Sequence, residues 1–173
     1  MKNKTVLRFM LLATAVVSTQ IQANPNTINV EYKAQQADPG ELVLYQGNQP
    51  IDIIDFTEDK KFIRFQFPTG YSGFDLKVFE QNELAEKNAI LNAYAQSSTK
   101  GIAAFDALWA GHASSAQNAR EFQVHSVGQG ALVVRNKNVD GTPEGVMHDY
   151  IVKFTVNNTT YLLDPSIRNT TRR

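Results

Sequence analysis

Between Asn24 and Phe67 the apolar residues come in short runs rich in β-branched and aromatic side chains, separated by clusters of turn formers. The pattern predicts strands at Ile28 to Lys33, Glu41 to Gln46, Ile51 to Asp55 and Lys61 to Phe67, with Asp38-Pro39-Gly40, Gly47-Asn48 and Thr57 to Lys60 between them. In the fourth run Phe62, Ile63, Phe65 and Phe67 put most apolar side chains on one face, as a half-buried strand requires. Pro68, Gly70 and Gly73 then interrupt the chain. From Asn82 to Gln96 the period lengthens to that of a helix, with Leu84, Leu91 and Tyr94 near one face. Glu83 and Glu86 fall in its first turn, where the helix dipole favours negative charge. A second helix is expected from Lys100 or Gly101 to about Gln117, capped by Ser97, Ser98 or Thr99, because Ile102, Phe105, Trp109 and His112 recur at intervals of three and four. Strands follow at Phe122 to Val127, Ala131 to Arg135, His148 to Val156 and Thr159 to Asp164, the last two joined about Asn157-Asn158. Strands, then helices, then strands predict an α+β fold: an antiparallel sheet with packed helices, and Phe105 and Trp109 buried against the sheet containing Phe122 to Asp164.

Ahead of this lies a different kind of segment. Lys2, Lys4 and Arg8 precede an apolar run from Phe9 to Val17, and a polar stretch leads to Ile21-Gln22-Ala23, a small-residue exit. That order is the signature of a secretory signal peptide over residues 1–23, cut after Ala23, and it implies a secreted or periplasmic protein. The run is too short to span a bilayer, which takes about 20 apolar residues, so no membrane association is expected after cleavage. Residues 24–173 then form one domain: a strand-rich part over 24–80, helices over 82–117 and strands over 122–166. The leader holds three of the 17 basic residues and none of the 17 acidic ones, leaving 14 against 17, a formal charge of −3. This offers no reason to expect nucleic acid as a partner. The basic pairs at 60–61 and 172–173 read as a solvated turn and tail. With no cysteine, the domain must be held by packing alone, without disulfides, thiolate-bound metal or a lipid-bearing cysteine.

Two polar residues stand where a packed core would not ask for them. His148 opens a strand, and Asp164 ends the next within Leu162-Leu163-Asp164-Pro165-Ser166. A histidine oriented by a carboxylate is the base of a nucleophile–His–Asp arrangement; the plainer reading is a surface histidine and a turn aspartate before proline. The hairpin between them sets a condition. A two-residue Asn157-Asn158 turn pairs Val156 with Thr159 and sends Asp164 to the face away from His148. A three-residue loop pairs Thr155 with Thr159 and Tyr150 with Asp164, making His148 and Asp164 diagonal neighbours roughly 7 to 8 Å apart.

Gly101-Ile102-Ala103-Ala104-Phe105-Asp106-Ala107-Leu108, His148-Asp149-Tyr150-Ile151-Val152 and Tyr161-Leu162-Leu163-Asp164-Pro165-Ser166 together resemble the transglutaminase-like, papain-related superfamily. The similarity is to bacterial protein-glutamine glutaminases in particular. The resemblance covers about Gly101 to Ser166. It implies a transglutaminase-like core, a cysteine nucleophile in the first turn of a helix, a histidine opening a strand, and an aspartate near the end of the next. It further implies attack on a glutamine carboxamide of a protein or peptide, with no cofactor. A helix N-terminus suits such a thiolate. At the nucleophile's place, however, this chain has Ala103, and a methyl group cannot attack an acyl carbon. The expectation is therefore a pseudoenzyme or an inactivated form of a protein deamidase, with site positions Ala103, His148 and Asp164. The alternative is a small exported binding, inhibitor or immunity protein in which His148 and Asp164 are incidental.

The remaining candidates point to structure. Ser97, Ser98 and Thr99 are explained as caps. His112 on a helical stripe, His125 in a strand and His148 lack the spacing of a zinc site. Trp109 reads as core rather than as a substrate platform. Asn157, Asn158 and Asn169 match the glycosylation sequon, which matters only in a host that glycosylates. Gly128-Gln129-Gly130 is a turn and not a phosphate loop, since no helix follows it.

Overall fold

The computed structural model describes residues 24–34, 41–96, 102–112, 121–128 and 130–171. The leader, its cleavage point, the caps at 97–99, the second helix beyond His112, the turn at 38–40 and the tail at 172–173 lie outside the described residues. No described helix is long and apolar enough to cross a membrane.

Eleven strands and two α-helices are described. Sheet A takes β1 (Thr27–Ala34), β2 (Leu42–Gln46), β3 (Gln49–Pro50), β5 (Phe62–Gln66), β7 (Phe122–Gly128) and β8 (Ala131–Asn136), in the order β3-β2-β1-β5-β8-β7. Sheet B takes β4 (Ile53–Thr57), β6 (Ser72–Phe79), β9 (Val146–Val156), β10 (Thr159–Leu163) and β11 (Ser166–Thr170). In sheet B, β9 is the long centre, with β6 on one edge and β10 and then β11 on the other, and β4 lies outside β11. Each sheet mixes directions, since β1 runs parallel to β5 and β4 parallel to β11.

The two sheets bury each other. Alternate residues Val30 and Tyr32 of β1, Ile63 and Phe65 of β5, and Leu132 and Val134 of β8 face Ile54 and Phe56 of β4 and Tyr150, Val152 and Phe154 of β9 in one apolar core. This is the period-two alternation of a half-buried strand, with one face of each sheet turned inward. The opposite face of sheet B carries the helices α1 (Leu84–Ala95) and α2 (Ile102–Gly111). There Phe79 and Ile151 of the sheet meet Ile90, Phe105 and Trp109 in a second, smaller cluster.

The α+β expectation, with helices on one antiparallel sheet in a transglutaminase-like or papain-like core, is therefore overturned. The fold is a β-sandwich of two mixed sheets with a helix pair added to one outer face. The physical reason is that the strands on either side of the helices are shared between two sheets that cover each other, so the helices are not needed to close the main core. Of the three strands that the sequence pattern missed, β6 and β11 belong to sheet B and the two-residue β3 to sheet A. Phe105 and Trp109 are buried as expected, 3% and 5% exposed, but against sheet B alone; β7 and β8 belong to the other sheet.

Trp109 is fixed by more than apolar contact. Its indole N–H donates to Asp75 Oδ2 at 2.9 Å, and Lys77 and Lys153 lie over the ring at 5.1 and 4.9 Å. As the single tryptophan, it reports on this helix–sheet contact. Native emission is expected to resist acrylamide several-fold better than emission in urea, and equal quenching in the two states would contradict the packing.

Candidate functional site

The hairpin takes the two-residue form. Asn157 and Asn158 are both left-handed, φ 51° and 60°, and Thr159 pairs with Val156. Asparagine adopts this conformation more readily than most residues, and a two-residue turn of two left-handed residues matches the twist of the flanking strands. The pairing of Leu163 with Val152 sends Asp164 toward the helix side. His148 is on the inner face with Tyr150 and Val152, whereas Asp149 and Ile151 face the helices. The expected His148–Asp164 dyad is not formed, because the three-residue loop it required is not the loop present.

Each of the two residues has other partners. Asp164 Oδ1 lies 2.7 Å from Lys87 Nζ of α1, and the same ammonium lies 3.0 Å from Asp149 Oδ2. Ser166 Oγ donates to Asp149 Oδ1 at 3.0 Å. Burial alone would lower the Lys87 pKa, but hydrogen bonds to Asp164 and Asp149 outweigh it and raise it. Lys87 is thus a firmly charged tie between α1 and sheet B and is not a base. Ala103 lies in the first turn of α2, with its side chain outside the described residues.

His148 belongs to a buried polar cluster that the sequence did not reveal. Its Nε2 lies 2.9 Å from Asp140 Oδ2, and Phe122 stands edge-on to the ring at 4.9 Å. Nδ1 has no hydrogen-bond partner, and Nε2 faces both the Asp140 carboxylate and, at 3.4 Å, the Asn169 amide nitrogen. The cluster centres on Asn169 of β11, which is fully buried. Its Nδ2 donates to Glu121 Oε1 and to Asp140 Oδ1, both at 2.9 Å, and its Oδ1 accepts from Asn136 Nδ2 at 2.6 Å. Glu121, also fully buried, takes a second bond from the Val139 N–H at 2.9 Å, while its Oε2 accepts none. Burial first, and the Asp140 carboxylate second, push the Glu121 carboxyl up to about 7.

Local geometry delivers Asp140 to this place. Asn138 is left-handed, φ 50°, its amide donates to the Thr170 carbonyl at 2.8 Å, and a Cβ on Gly141 would collide with Asn138 Oδ1. Chemically, the cluster is a pair of carboxyl groups beside an imidazole, in which Glu121 and His148 are buried and the Asp140 side chain is 14% exposed. The Asn169 N–H donors stand between the carboxylates where a cation would sit, and no group of His, Asp and Glu among the described residues is arranged to hold a metal. Burial of Asn169 also makes its sequon a structural asparagine.

The other histidines are similarly accounted for. His112, just past α2, is 3% exposed and stacked on Phe79 at 4.5 Å, with Glu86 Oε1 2.9 Å from Nδ1. His125 is exposed at a bulge in β7, its ring 5.0 Å from that of Phe62 on the outer face of sheet A. That outer face carries two adjoining recesses of about 240 and 360 Å³, which share Asn29 and Arg64 as their common wall. No protein-family model matches the chain, and a search of the curated proteins finds no match.

Proposed function

We propose that the protein is an exported binding protein without hydrolytic chemistry of its own. The observation that carries this reading is the separation of His148 and Asp164 across sheet B. One is enclosed in the sandwich with Asp140, and the other is held by Lys87 on the helix side. A nucleophile–base–orienter arrangement needs the base and its orienter in hydrogen-bond reach and the base open to substrate. His148, 4% exposed, offers no such opening. The export component rests on the leader over residues 1–23.

The test is a thiol placed where a hydrolase of the resembled type would carry one. Ala103→Cys should give a cysteine whose alkylation, followed against pH, is the same whether or not His148→Ala is also present. In this reading the imidazole lies on the far face of sheet B from α2 and exchanges no proton with the thiol. Any lowering of its pKa from about 8.5 by the helix N-terminus would appear equally in both proteins. A thiol pKa that rises when His148 is removed would reinstate the hydrolase-like site and end the binding proposal.

A further inference from the structure

The geometry points to the outer face of sheet A, centred on Arg64, as a binding site for an acidic saccharide. This deepens the binding reading and rests on it. The register aligns the face in rows: Arg135, Phe62 and Thr27 across β8, β5 and β1, then Val133, Arg64 and Asn29, then Ala131, Gln66, Glu31 and Tyr45, the last from β2. Arg64 is thus in the middle of the sheet, with a recess on either side. Its Nη2 donates to Gln66 Oε1 at 3.1 Å, and no carboxylate among the described residues forms an ion pair with it. A guanidinium has five N–H donors in a planar fork that matches a carboxylate or sulfate, and Gln66 takes up one of them.

Charge on this face runs against that of residues 24–173 taken together. Among the strand residues of sheet A the basic ones are Lys33, Arg64 and Arg135, and the acidic one is Glu31. Glu31 is already within 3.4 Å of Lys33. In a mature chain of formal charge −3 this is the cationic sheet surface, and it complements an anion.

The two recesses set the rest of the ligand. Each is near or below the small end of the range of about 300 to 1,000 Å³ for small-molecule sites, so each suits a single ring. The Phe62 and His125 rings border the first and offer apolar surface to a sugar ring, and Tyr45 borders the second with the Lys33 ammonium over its ring at 4.6 Å. Asn29 brings a side-chain amide, which donates to and accepts from hydroxyl groups at once, while the Gln66 amide is held by the Phe67 and Gly130 carbonyls and by Arg64. A peptide is the poorer fit: the backbone groups of β1, β5 and β8 are committed to their ladders, so an extended chain lying here finds no main-chain partners. An acid group over Arg64, with a ring in each recess, uses every one of these features.

The experiment is a titration of the purified mature chain at low salt, followed by chemical shifts or calorimetry. The probes are disaccharides bearing galacturonate, glucuronate or sialate, with neutral galactobiose, a tri-glutamate peptide and a short oligothymidylate for comparison. At least one acidic saccharide should bind with a Kd of millimolar or below, and at least tenfold more tightly than the neutral one. Arg64→Gln should weaken it tenfold or more, and Arg64→Lys should fall between, since it keeps the charge without the fork. Arg64 is only partly buried and ties one neighbouring glutamine, so both variants should melt with the parent, and Arg64→Lys alone decides if the other misfolds. The proposal is overturned if no acidic saccharide binds at 10 mM, if Arg64→Lys binds like the parent, or if the peptide or the oligonucleotide binds better. These outcomes are independent of the Ala103→Cys test, so a lost saccharide site and a regained hydrolase site are told apart.

Discussion

Asn169→Ala is expected to destabilise the protein by on the order of 3 to 5 kcal/mol, because it strands several buried groups at once. The amide serves Glu121 and Asp140 with its two donors and Asn136 with its acceptor. Each buried partner left unsatisfied costs about 1 to 3 kcal/mol, and water entering the vacated space recovers part of that. In urea, where a domain of this size loses about 1 to 3 kcal/mol per molar, the unfolding midpoint at pH 7 should fall by more than about 1 M. Asn169→Asp sharpens the reading. It keeps the shape and the acceptor for Asn136 but puts a third carboxyl group where two carboxyls were being neutralised by N–H donors. It should be severely destabilising at pH 7 and should recover as the pH falls toward 5. A loss below about 1 kcal/mol for Asn169→Ala would mean that the cluster is not what ties β11 to β7, β8 and the 137–145 loop.

Much of the strand pattern was legible in the sequence, and what was not has identifiable causes. The alternation in Phe62 to Phe67 and in His148 to Val156 follows directly from one face being buried, and β5 and β9 lie where it predicts them. The same alternation is present in β6, where Phe74 and Val78 face the main core while Asp75, Lys77 and Phe79 face the helices. Gly73 looked like a break, yet it is a left-handed residue, φ 62°, inside a bulge that lets β6 continue along β9. β11 was hidden for the opposite reason. Its one large apolar residue is Ile167, and its second buried position is filled by Asn169, a polar residue that only the cluster makes affordable.

The division into two sheets was not legible, since alternation tells which side of a strand is buried and says nothing about which strand lies beside it. For the hairpin, both registers were visible in the sequence; two consecutive left-handed asparagines decided between them. The candidate site fared worst. Glu121, Asp140, His148 and Asn169 are spread over 49 residues of chain and lie in three separate segments and a loop, and each in isolation reads as an ordinary polar residue. The shared burial that gives them their chemistry exists only after both sheets have formed.

Glu121→Gln is the complementary experiment, since it is expected to stabilise the protein, and to do so increasingly as the pH rises. Burial and the Asp140 carboxylate hold the Glu121 proton to about pH 7, against an ordinary value of 4.5. Between those two values the folded chain keeps a proton that the unfolded chain releases, so the contribution of this group to stability is greatest below about pH 4.5. It falls by up to about 1.4 kcal/mol per pH unit through the window and levels off above about pH 7. Coupling to Asp140 spreads the titration over the pair, and the whole loss is on the order of 2 to 3 kcal/mol. A glutamine at 121 has nothing to ionise. Its oxygen can keep the bonds from Asn169 and the Val139 N–H, while its amide group replaces the unpartnered Oε2 and donates toward Asp140. Stability from urea unfolding at pH 5, 6, 7 and 8 gives the comparison directly, and titrating groups outside the Glu121–Asp140 pair cancel in the difference. The gain of Glu121→Gln over the parent should be small at pH 5, should grow to about 2 to 3 kcal/mol by pH 8, and should flatten there. A difference that is constant with pH would show that Glu121 ionises alike in the folded and unfolded chains, and that its burial against Asp140 carries no energetic weight.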